Sequence, residues 1–285
     1  MKKALLISNP VAGKGKPLQS SKYIYDFLKN KGFDIVEYQT RYKNDIEGIN
    51  VFFGKNINSD LLIISGGDGT LNDVVNAIPE NFNTPVLILP LGSGNDFANC
   101  LYNKKSLTQI LELCVKNTPK PVNIGICNGK KFINGIGIGF DGWVAQKANE
   151  GVKYIPVILK YYTAILRGIF TFSSFETNLG KALIIAVANG PTYGGGFKIA
   201  PGAVPDDDYF DLWIIKPIKF FKRIFYLNLI KKGLHKSDIS TFEHKKIKDL
   251  KIICNKPVPA HLDGEYIISD VFDVQLCAYK LFFLV

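Results

Sequence analysis

The 285-residue sequence is poor in the residues that build metal centres and disulfide frameworks. Its three histidines, His235, His244 and His261, are neither clustered nor spaced to share one helix face, which argues against a zinc site. The five cysteines are scattered without a C-x-x-C pair, and their odd number predicts free thiols in a reducing cytoplasm. The composition therefore disfavours a zinc enzyme and a disulfide-stabilised secreted domain.

Long uncharged apolar segments are also missing. The most apolar stretch, residues 155–175, contains Lys160 and Arg167, whereas a membrane-spanning helix needs about 20 residues almost free of charge. The apolar run at residues 4–7 is too short for a signal peptide and predicts a first β-strand. We therefore expect a soluble, cytoplasmic protein.

Two common nucleotide-binding signatures are absent as well. The segment Gly13-Lys14-Gly15-Lys16 is not a P-loop, because no Ser or Thr follows the lysine and the upstream glycine is missing. The glycines of residues 135–139 alternate with apolar residues instead of forming a strand-to-helix turn, so they are not a Rossmann fingerprint.

Positive charge is abundant, and the net charge of +10 favours anionic partners. Residues 216–256 carry 12 Lys or Arg against 3 acids, a local charge of +9. Phe220, Phe221 and Phe225 interleave with these basic residues. Two interpretations stay open: a basic amphipathic helix that docks on an anionic membrane, and a helix packed on the protein with a solvated basic rim.

A strand, a glycine-rich loop and a helix follow one another in residues 61–78. The apolar run 61–64 predicts a buried parallel strand, and the helix after it ends before Pro79. The loop Gly66–Thr70 suits phosphate, because glycines allow close backbone approach and the first helical N–H groups attract anions. Asp68 fits such a site if Mg²⁺ lies between carboxylate and phosphate. Alternatively, Asp68 caps the helix of an ordinary βα turn.

Two more polar loops follow buried strands, at residues 9–16 and 91–98. In an open α/β sheet, loops that follow parallel strands lie at the carboxyl edge, where ligands bind. We therefore expect Asn95 and Asp96 of the later loop to contribute to the same site as Gly66–Thr70.

The periodicity changes after residue 121. Before it, repeated βα units, the last with a helix over 106–117, predict a doubly wound parallel sheet, which we assign to a nucleotide-binding domain of residues 1–121. After it, short strands dominate, among them 248–254 and 258–262, and Asn128-Gly129 predicts a hairpin. With a helical insertion over 142–170 and a helix over 218–234, residues 122–274 are predicted to form a mostly antiparallel β-sandwich-like domain. The predicted class is α/β.

Two acidic segments in this second part have competing interpretations. Residues 204–211 carry four carboxylates, which suit either a Mg²⁺ site or an exposed acidic turn. Asp263-Gly264-Glu265 lies between apolar strands, where Asp-Gly is a strong hairpin signal. On an extended chain, residues two apart face the same side, so both carboxylates could instead reach one hydroxyl.

The segments Gly66–Asp73 and Leu91–Ala98 resemble the diacylglycerol kinase catalytic-domain family, and within it the soluble bacterial lipid kinases. Asn9-Pro10 before them and Gly137–Asp141, Ala200–Asp211 and His261–Glu265 after them extend the match. This resemblance covers nearly the whole chain, and it implies that residues 122–274 bind the lipid substrate and that the last strand, at about 275–285, returns to the first domain. It implies nucleotide contacts from Asn9, Pro10, Val11, Ala12, Gly13, Thr40, Gly67, Asp68, Gly69, Thr70, Leu71, Asn72 and Ser93.

The same resemblance assigns roles to the acidic segments. It implies a structural metal held by Asp207 and the carbonyls of Val204 and Tyr209, with Glu265 as the general base and Asp263 supporting it. Two positions depart from the family pattern: Asp208 stands where glycine is usual, and Asn123 where aspartate is common.

We therefore expect an enzyme that uses ATP and Mg²⁺ to phosphorylate a lipid hydroxyl, most simply converting diacylglycerol to phosphatidic acid. Its expected partners are ATP, the lipid alcohol and an anionic membrane surface at the inner face, with no nucleic acid and with a homodimer left open. One alternative is an NAD kinase, which shares a similar Gly-Gly-Asp-Gly-Thr element. A second, suggested by Asn123 and Asp208, is a catalytically silent nucleotide- or lipid-binding regulator.

Overall fold

The structure is a computed structural model that describes residues 2–56, 58–80, 82–116, 118–150, 157–235 and 240–285. Contacts divide the chain into two compact units: residues 1–124 with 277–285, and residues 125–276. The sequence placed the boundary after residue 121, and the contacts place it after residue 124.

The first unit contains a six-stranded sheet. Its strands are β1 (Lys2–Ser8), β2 (Phe33–Gln39), β3 (Leu61–Gly66), β4 (Val86–Pro90), β5 (Lys120–Val122) and β16 (Leu281–Phe283). They are arranged in the order β2-β1-β3-β4-β16-β5, and all pairings are parallel except that of β5 with β16. All six residues of β3 are buried, as expected for a strand covered on both faces.

Helices connect the consecutive strands β1 to β4, because parallel pairing requires a crossover between strands. The helix after β3 buries Leu71, Val74 and Val75, the positions that recur at helical spacing in the sequence. The helices are α1 (Lys16–Asn30), α2 (Ile46–Asn56), α3 (Asp68–Ala77), α4 (Asp96–Tyr102) and α5 (Leu107–Lys116), with a 3₁₀ turn at Ala12–Lys14.

The second unit is built on one antiparallel sheet. Its strands are β6 (Gly125–Cys127), β7 (Lys130–Phe132), β8 (Gly135–Gly139), β9 (Phe175–Thr177), β10 (Gly180–Ala182), β11 (Ile184–Ala188), β12 (Phe210–Ile215), β13 (Phe242–Ile247), β14 (Leu250–Leu262) and β15 (Glu265–Leu276). They are arranged in the order β13-β12-β11-β8-β14-β15-β6-β7, with β9 joined to β14 and β10 to β9.

Successive side chains along a strand point to opposite faces of the sheet, so this sheet has an apolar core on each face. Ile185 and Val187 of β11 join one apolar cluster, whereas Ile184 and Ala186 join the other. The second cluster includes residues from three helices: α6 (Phe140–Glu150), α7 (Val157–Thr171) and α8 (Phe220–Lys232). None of the helices in the described part of the chain is both long enough and apolar enough to cross a membrane.

Three elements differ from the sequence-based expectation. The strands predicted over 248–254 and 258–262 form the single strand β14, with an irregular register between Ile253 and Val258 that accommodates Pro257. The short helix α4 was not predicted. The helical insertion predicted over 142–170 forms α6 and α7, and its residues 151–156 lie outside the described residues. Residue 117, the last residue of the helix predicted over 106–117, also lies outside them.

Candidate functional site

Three loops meet at the carboxyl edge of the first sheet: the Asn9 loop (residues 9–15), the Gly66 loop (66–70) and the Leu91 loop (91–96). The Asn9 side-chain amide donates to Thr70 Oγ1 at 3.2 Å. The Leu91 N–H donates to the Gly66 carbonyl at 2.9 Å. The structure therefore brings together the loops that the sequence predicted to share one edge.

Glycine is required where these loops touch. A Cβ on Gly66 would collide with the Thr70 side chain, and one on Gly92 would collide with the Gly67 backbone. Gly13 has a φ of +52° and lies against the Leu91 carbonyl. In contrast, a Cβ on Gly69 would meet no atom within 4 Å. Packing within the protein therefore explains most of these glycines but leaves Gly69 without a structural reason.

The Asp68 carboxylate lies at the N-terminus of α4. Its Oδ1 accepts the Phe97 N–H at 3.2 Å. Burial raises the pKa of Asp68, and backbone hydrogen bonds from residues 95–97 act in the opposite direction. The sequence had offered Asp68 as a cap of its own helix, but the structure shows it capping the next helix along the chain.

Asn95 organises the Leu91 loop from within. Its side chain accepts the Gly92 N–H at 2.9 Å and donates to the carbonyls of Pro90 and Gly92. A φ of +58° at Asn95 starts α4 immediately after the loop. Ser93 lies exposed in the same loop, whereas Asp96 is buried.

The other residues predicted to contact a nucleotide lie at the same edge but differ in exposure. Thr40 directly follows β2, and its N–H donates to the Ser8 carbonyl at 2.9 Å. Asn72 is buried in α3, and Leu71 belongs to the apolar core. Val11 is 80% exposed. Leu71 can therefore contribute only its backbone to a ligand, and the nucleotide role of each of these residues stays a prediction.

Asp263 and Gly264 form the hairpin turn between β14 and β15. Their φ angles are +47° and +88°, as in a type I′ turn. The expectation that Asp263 and Glu265 face one side of an extended chain is therefore wrong, because Asp263 lies in the turn. Its carboxylate accepts the N–H groups of Ile133, Asn134 and Gly135 at 2.8–2.9 Å. Asp263 thus holds the turn, and Glu265 is the first residue of β15.

Asp207 was predicted to hold a structural metal with the carbonyls of Val204 and Tyr209. Its Oδ1 accepts the Tyr209 N–H at 3.0 Å, and its Oδ2 is paired with the Lys246 ammonium. Among the described residues, no group of three or more His, Cys, Asp or Glu is arranged to hold a metal ion. A divalent cation here would have to displace the Lys246 ammonium, and the metal site stays a prediction. Asp208, where the family has glycine, adopts a φ of +66°.

The predicted basic helix is α8, and most of its apolar side chains are exposed. Phe220, Phe221, Ile224 and Phe225 are each at least 57% exposed, and only Ile230 is buried. Arg223 donates to the carbonyls of Ile169 and Phe172 at 2.8 and 2.7 Å and so ties α8 to the end of α7.

The helix α7 continues this apolar surface with Leu159, Leu166 and Phe170. The rings of Phe170 and Phe220 are 6.3 Å apart. The sequence did not show that α7 takes part, because its apolar residues were also compatible with a buried helix. We call this surface, formed by residues 159–170 of α7 and 220–225 of α8, the apolar helix face.

The first unit is thus an α/β domain with glycine-bearing loops at the carboxyl edge of its parallel sheet, the edge at which domains of this class bind ligands. Residues 3–127 match the family model described as the diacylglycerol kinase catalytic domain. Residues 134–275 match the model described as the YegS C-terminal NAD kinase beta sandwich-like domain. The two matches together span nearly the whole chain, which therefore belongs to the diacylglycerol kinase catalytic-domain family.

Individual relatives are similar to this chain over nearly its whole length. A diacylglycerol kinase of Staphylococcus saprophyticus is 27% identical over 277 residues, covering 93% of this chain and 89% of the relative. A putative diacylglycerol kinase from Bacillus anthracis superposes with a TM-score of 0.78 at 26% identity, covering 99% of this chain and 96% of the other. An NAD kinase from Archaeoglobus fulgidus in complex with ATP, at 13% identity and a TM-score of 0.56, covers 100% of this chain and 94% of its own. That last likeness shows the fold alone.

Proposed function

We propose that the chain is an ATP-dependent kinase that transfers the γ-phosphate to a lipid hydroxyl, with diacylglycerol as the leading substrate. One observation carries this proposal: the Asn9, Gly66 and Leu91 loops converge at one sheet edge in a chain of the diacylglycerol kinase catalytic-domain family. The relatives named diacylglycerol kinase support the choice of substrate.

The triphosphate binds over the Gly66 loop in this proposal. The first N–H groups of α3 point out of the helix end and favour phosphate oxygens. Asn9 and Thr70, bonded to each other, orient two further polar groups at the same place. Asp68 and Asp96 supply the carboxylates that would hold Mg²⁺, directly or through water. When bound, this ion neutralises charge on the phosphates.

Glu265 is the general base in this proposal. Its carboxylate takes the proton of the lipid hydroxyl as that oxygen forms its bond to the γ-phosphorus, and the bond to the β-phosphate oxygen breaks with release of ADP. Asp263 does not share this role. Its two oxygens accept three backbone N–H groups, so it fixes the turn from which Glu265 projects.

The apolar helix face docks the enzyme on an anionic membrane in this proposal. Four large apolar side chains of α8 are exposed beside Lys219, Lys222 and Lys232. Inserting one such side chain among acyl chains contributes about 1.5–3 kcal/mol. Each basic residue near an anionic surface adds about 1 kcal/mol. A lipid substrate requires such a contact, because it does not leave the bilayer readily.

Vesicle sedimentation tests the docking. Phe220→Ser combined with Phe221→Ser should weaken binding to phosphatidylglycerol-containing vesicles at least about tenfold, since two insertions are lost. Leu18→Ser combined with Val51→Ser removes equally exposed side chains from the first unit and serves as the control. Binding should also weaken as salt rises. Equal binding by both double variants, or binding that ignores salt, would count against the docking.

A labelled-phosphate assay separates the proposal from its alternatives. The chain is incubated with γ-labelled ATP, Mg²⁺, NAD and vesicles that contain diacylglycerol, and organic extraction then partitions the products. Label in phosphatidic acid supports the proposal. Label in aqueous NADP supports an NAD kinase, the alternative raised by the shared Gly-Gly-Asp-Gly-Thr element. ATP binding without transfer supports a silent regulator.

A further inference from the structure

A buried polar cluster lies in the second unit beside the hairpin turn, and the sequence gave no catalytic or binding role to its members. It consists of Asp141 on α6, Tyr193 after β11 and His261 on β14. Tyr193 Oη donates to Asp141 Oδ2 at 2.7 Å. The Tyr193 ring packs edge-to-face on the His261 imidazole with centroids 4.9 Å apart. Tyr193 and His261 are 7% and 5% exposed.

Gly137 shows how closely these groups converge. A Cβ at this position would lie 2.5 Å from His261 Nε2 and 3.0 Å from Asp141 Oδ2. Both polar atoms therefore approach the β8 backbone from the same side, at the place where Gly137 pairs with His261 in the sheet. A side chain at residue 137 would fill the space that brings them together.

The cluster is connected to the hairpin turn through the other imidazole nitrogen. His261 Nδ1 accepts the Gly264 N–H at 3.3 Å. Gly264 is the second residue of the turn and immediately precedes Glu265. A rotation of the His261 ring would therefore break a hydrogen bond to the residue immediately before Glu265.

A second connection reaches the turn through the loop that leads to Tyr193. The Asn134 side-chain amide donates to the Thr192 carbonyl at 2.9 Å. The Asn134 backbone N–H donates to Asp263 at 2.9 Å. The segment around Asn134 thus lies between the turn and the Tyr193 loop and is bonded to both.

The protonation states fit this arrangement. Burial lowers the pKa of His261 to about 4 and raises the pKa of Asp141 to about 6. At neutral pH the imidazole is neutral, so Nδ1 keeps the lone pair that accepts the Gly264 N–H, and the proton lies on Nε2. Burial raises the pKa of Tyr193 well above its usual value, so its hydroxyl stays a donor to the ionised Asp141.

We propose that Asp141, Tyr193 and His261 are positioning residues: Asp141 holds Tyr193, the Tyr193 ring orients the His261 imidazole, and His261 holds the turn that presents Glu265 through the Gly264 N–H. The inference rests on the proposed function, because it gives the turn a catalytic purpose. A misplaced catalytic group costs rate even when ATP still binds, since geometry contributes a large part of catalysis.

Amide exchange and kinetics on the full chain test this together. His261→Leu removes the acceptor, whereas His261→Asn places an amide oxygen close to the position of Nδ1. Tyr193→Phe removes only the hydroxyl. We expect faster exchange of the Gly264 amide and a kcat about tenfold lower in His261→Leu and Tyr193→Phe, an unchanged KM for ATP, and partial recovery of both readouts in His261→Asn.

Tyr25→Phe is the matched control, because it removes a tyrosine hydroxyl that donates to the Glu37 carboxylate at 2.9 Å in the first unit. It should leave both readouts unchanged. Wild-type exchange at Gly264 in His261→Leu would overturn the link to the turn. Faster exchange with unchanged kcat would overturn the positioning role. If the wild type fails to phosphorylate lipid, the proposed function fails, and the exchange rates still decide whether the cluster holds the turn.

Discussion

The substitution Gly69→Ala tests whether the Gly66 loop binds phosphate or is only the start of an ordinary helix. Gly69 is the second residue of α3 and is exposed, and beyond its chain neighbours and the adjacent backbone of its own helix no atom lies within 4 Å of the position that a Cβ would take. Its φ is not in the left-handed region. The protein alone therefore accepts alanine without strain. A triphosphate lying on the backbone N–H groups of the Gly66 loop does not accept it, because the added methyl group occupies the space through which the phosphate approaches.

The two effects have opposite signs. Alanine is favoured over glycine inside a helix by about 0.5–1 kcal/mol, which should raise the Tm by about 1–3 °C. The affinity for ATP should fall at least about tenfold, equivalent to about 1.4 kcal/mol. A variant that is more stable but binds nucleotide less tightly cannot be explained by misfolding.

Gly54→Ala provides the control. Gly54 lies in α2, is exposed, and likewise has no atom within 4 Å of the position that a methyl group would take. It should gain similar stability and keep its affinity for ATP. Differential scanning fluorimetry and titration calorimetry measure the two quantities on the same samples. If Gly69→Ala binds ATP as tightly as Gly54→Ala, the phosphates do not lie over this loop.

The remaining predictions concern the acidic residues. Asp68→Ala should abolish lipid phosphorylation and also lower stability by about 1 kcal/mol, because α4 loses its cap; an active variant would contradict the role of Asp68. Asp263→Asn should lower stability by about 1–3 kcal/mol in denaturant titrations, since one amide oxygen replaces two carboxylate oxygens that serve three donors; an unchanged midpoint would contradict this. If Asp207 binds Mg²⁺, Lys246→Met should shift the Mg²⁺ titration of Tm, measured without nucleotide, to lower concentrations, because the competing ammonium is gone; identical titrations would argue against a metal there.

The fold could be predicted from sequence to the extent that it depends on local periodicity. The apolar run of β3 and the helical spacing of Leu71, Val74 and Val75 indicate a βα unit. Asn128-Gly129 correctly indicated a hairpin, and both residues have positive φ. The helix α4 was missed because it is short and because Asn95, which starts it, also suits a loop.

The site was predictable in its loops but not in its long-range contacts. Glycines after buried strands marked the Gly66 and Leu91 loops, because strand ends in a parallel sheet share one edge. No local pattern shows that Asp68 caps a helix 28 residues later, as its bond to Phe97 reveals. The cluster of Asp141, Tyr193 and His261 was equally hidden, since strands distant in sequence bring these residues together.

The fate of the γ-phosphate in Glu265→Gln tests the central claim most directly. Glutamine keeps the size of the side chain and its hydrogen-bonding capacity, but it does not accept a proton at neutral pH. The wild type should transfer label from ATP to diacylglycerol in vesicles, and the variant should do so about 10²–10⁴-fold more slowly while its affinity for ATP is unchanged. Equal rates of label transfer to lipid by the two proteins would contradict Glu265 as the base, and transfer by the wild type to NAD alone would contradict the lipid kinase itself.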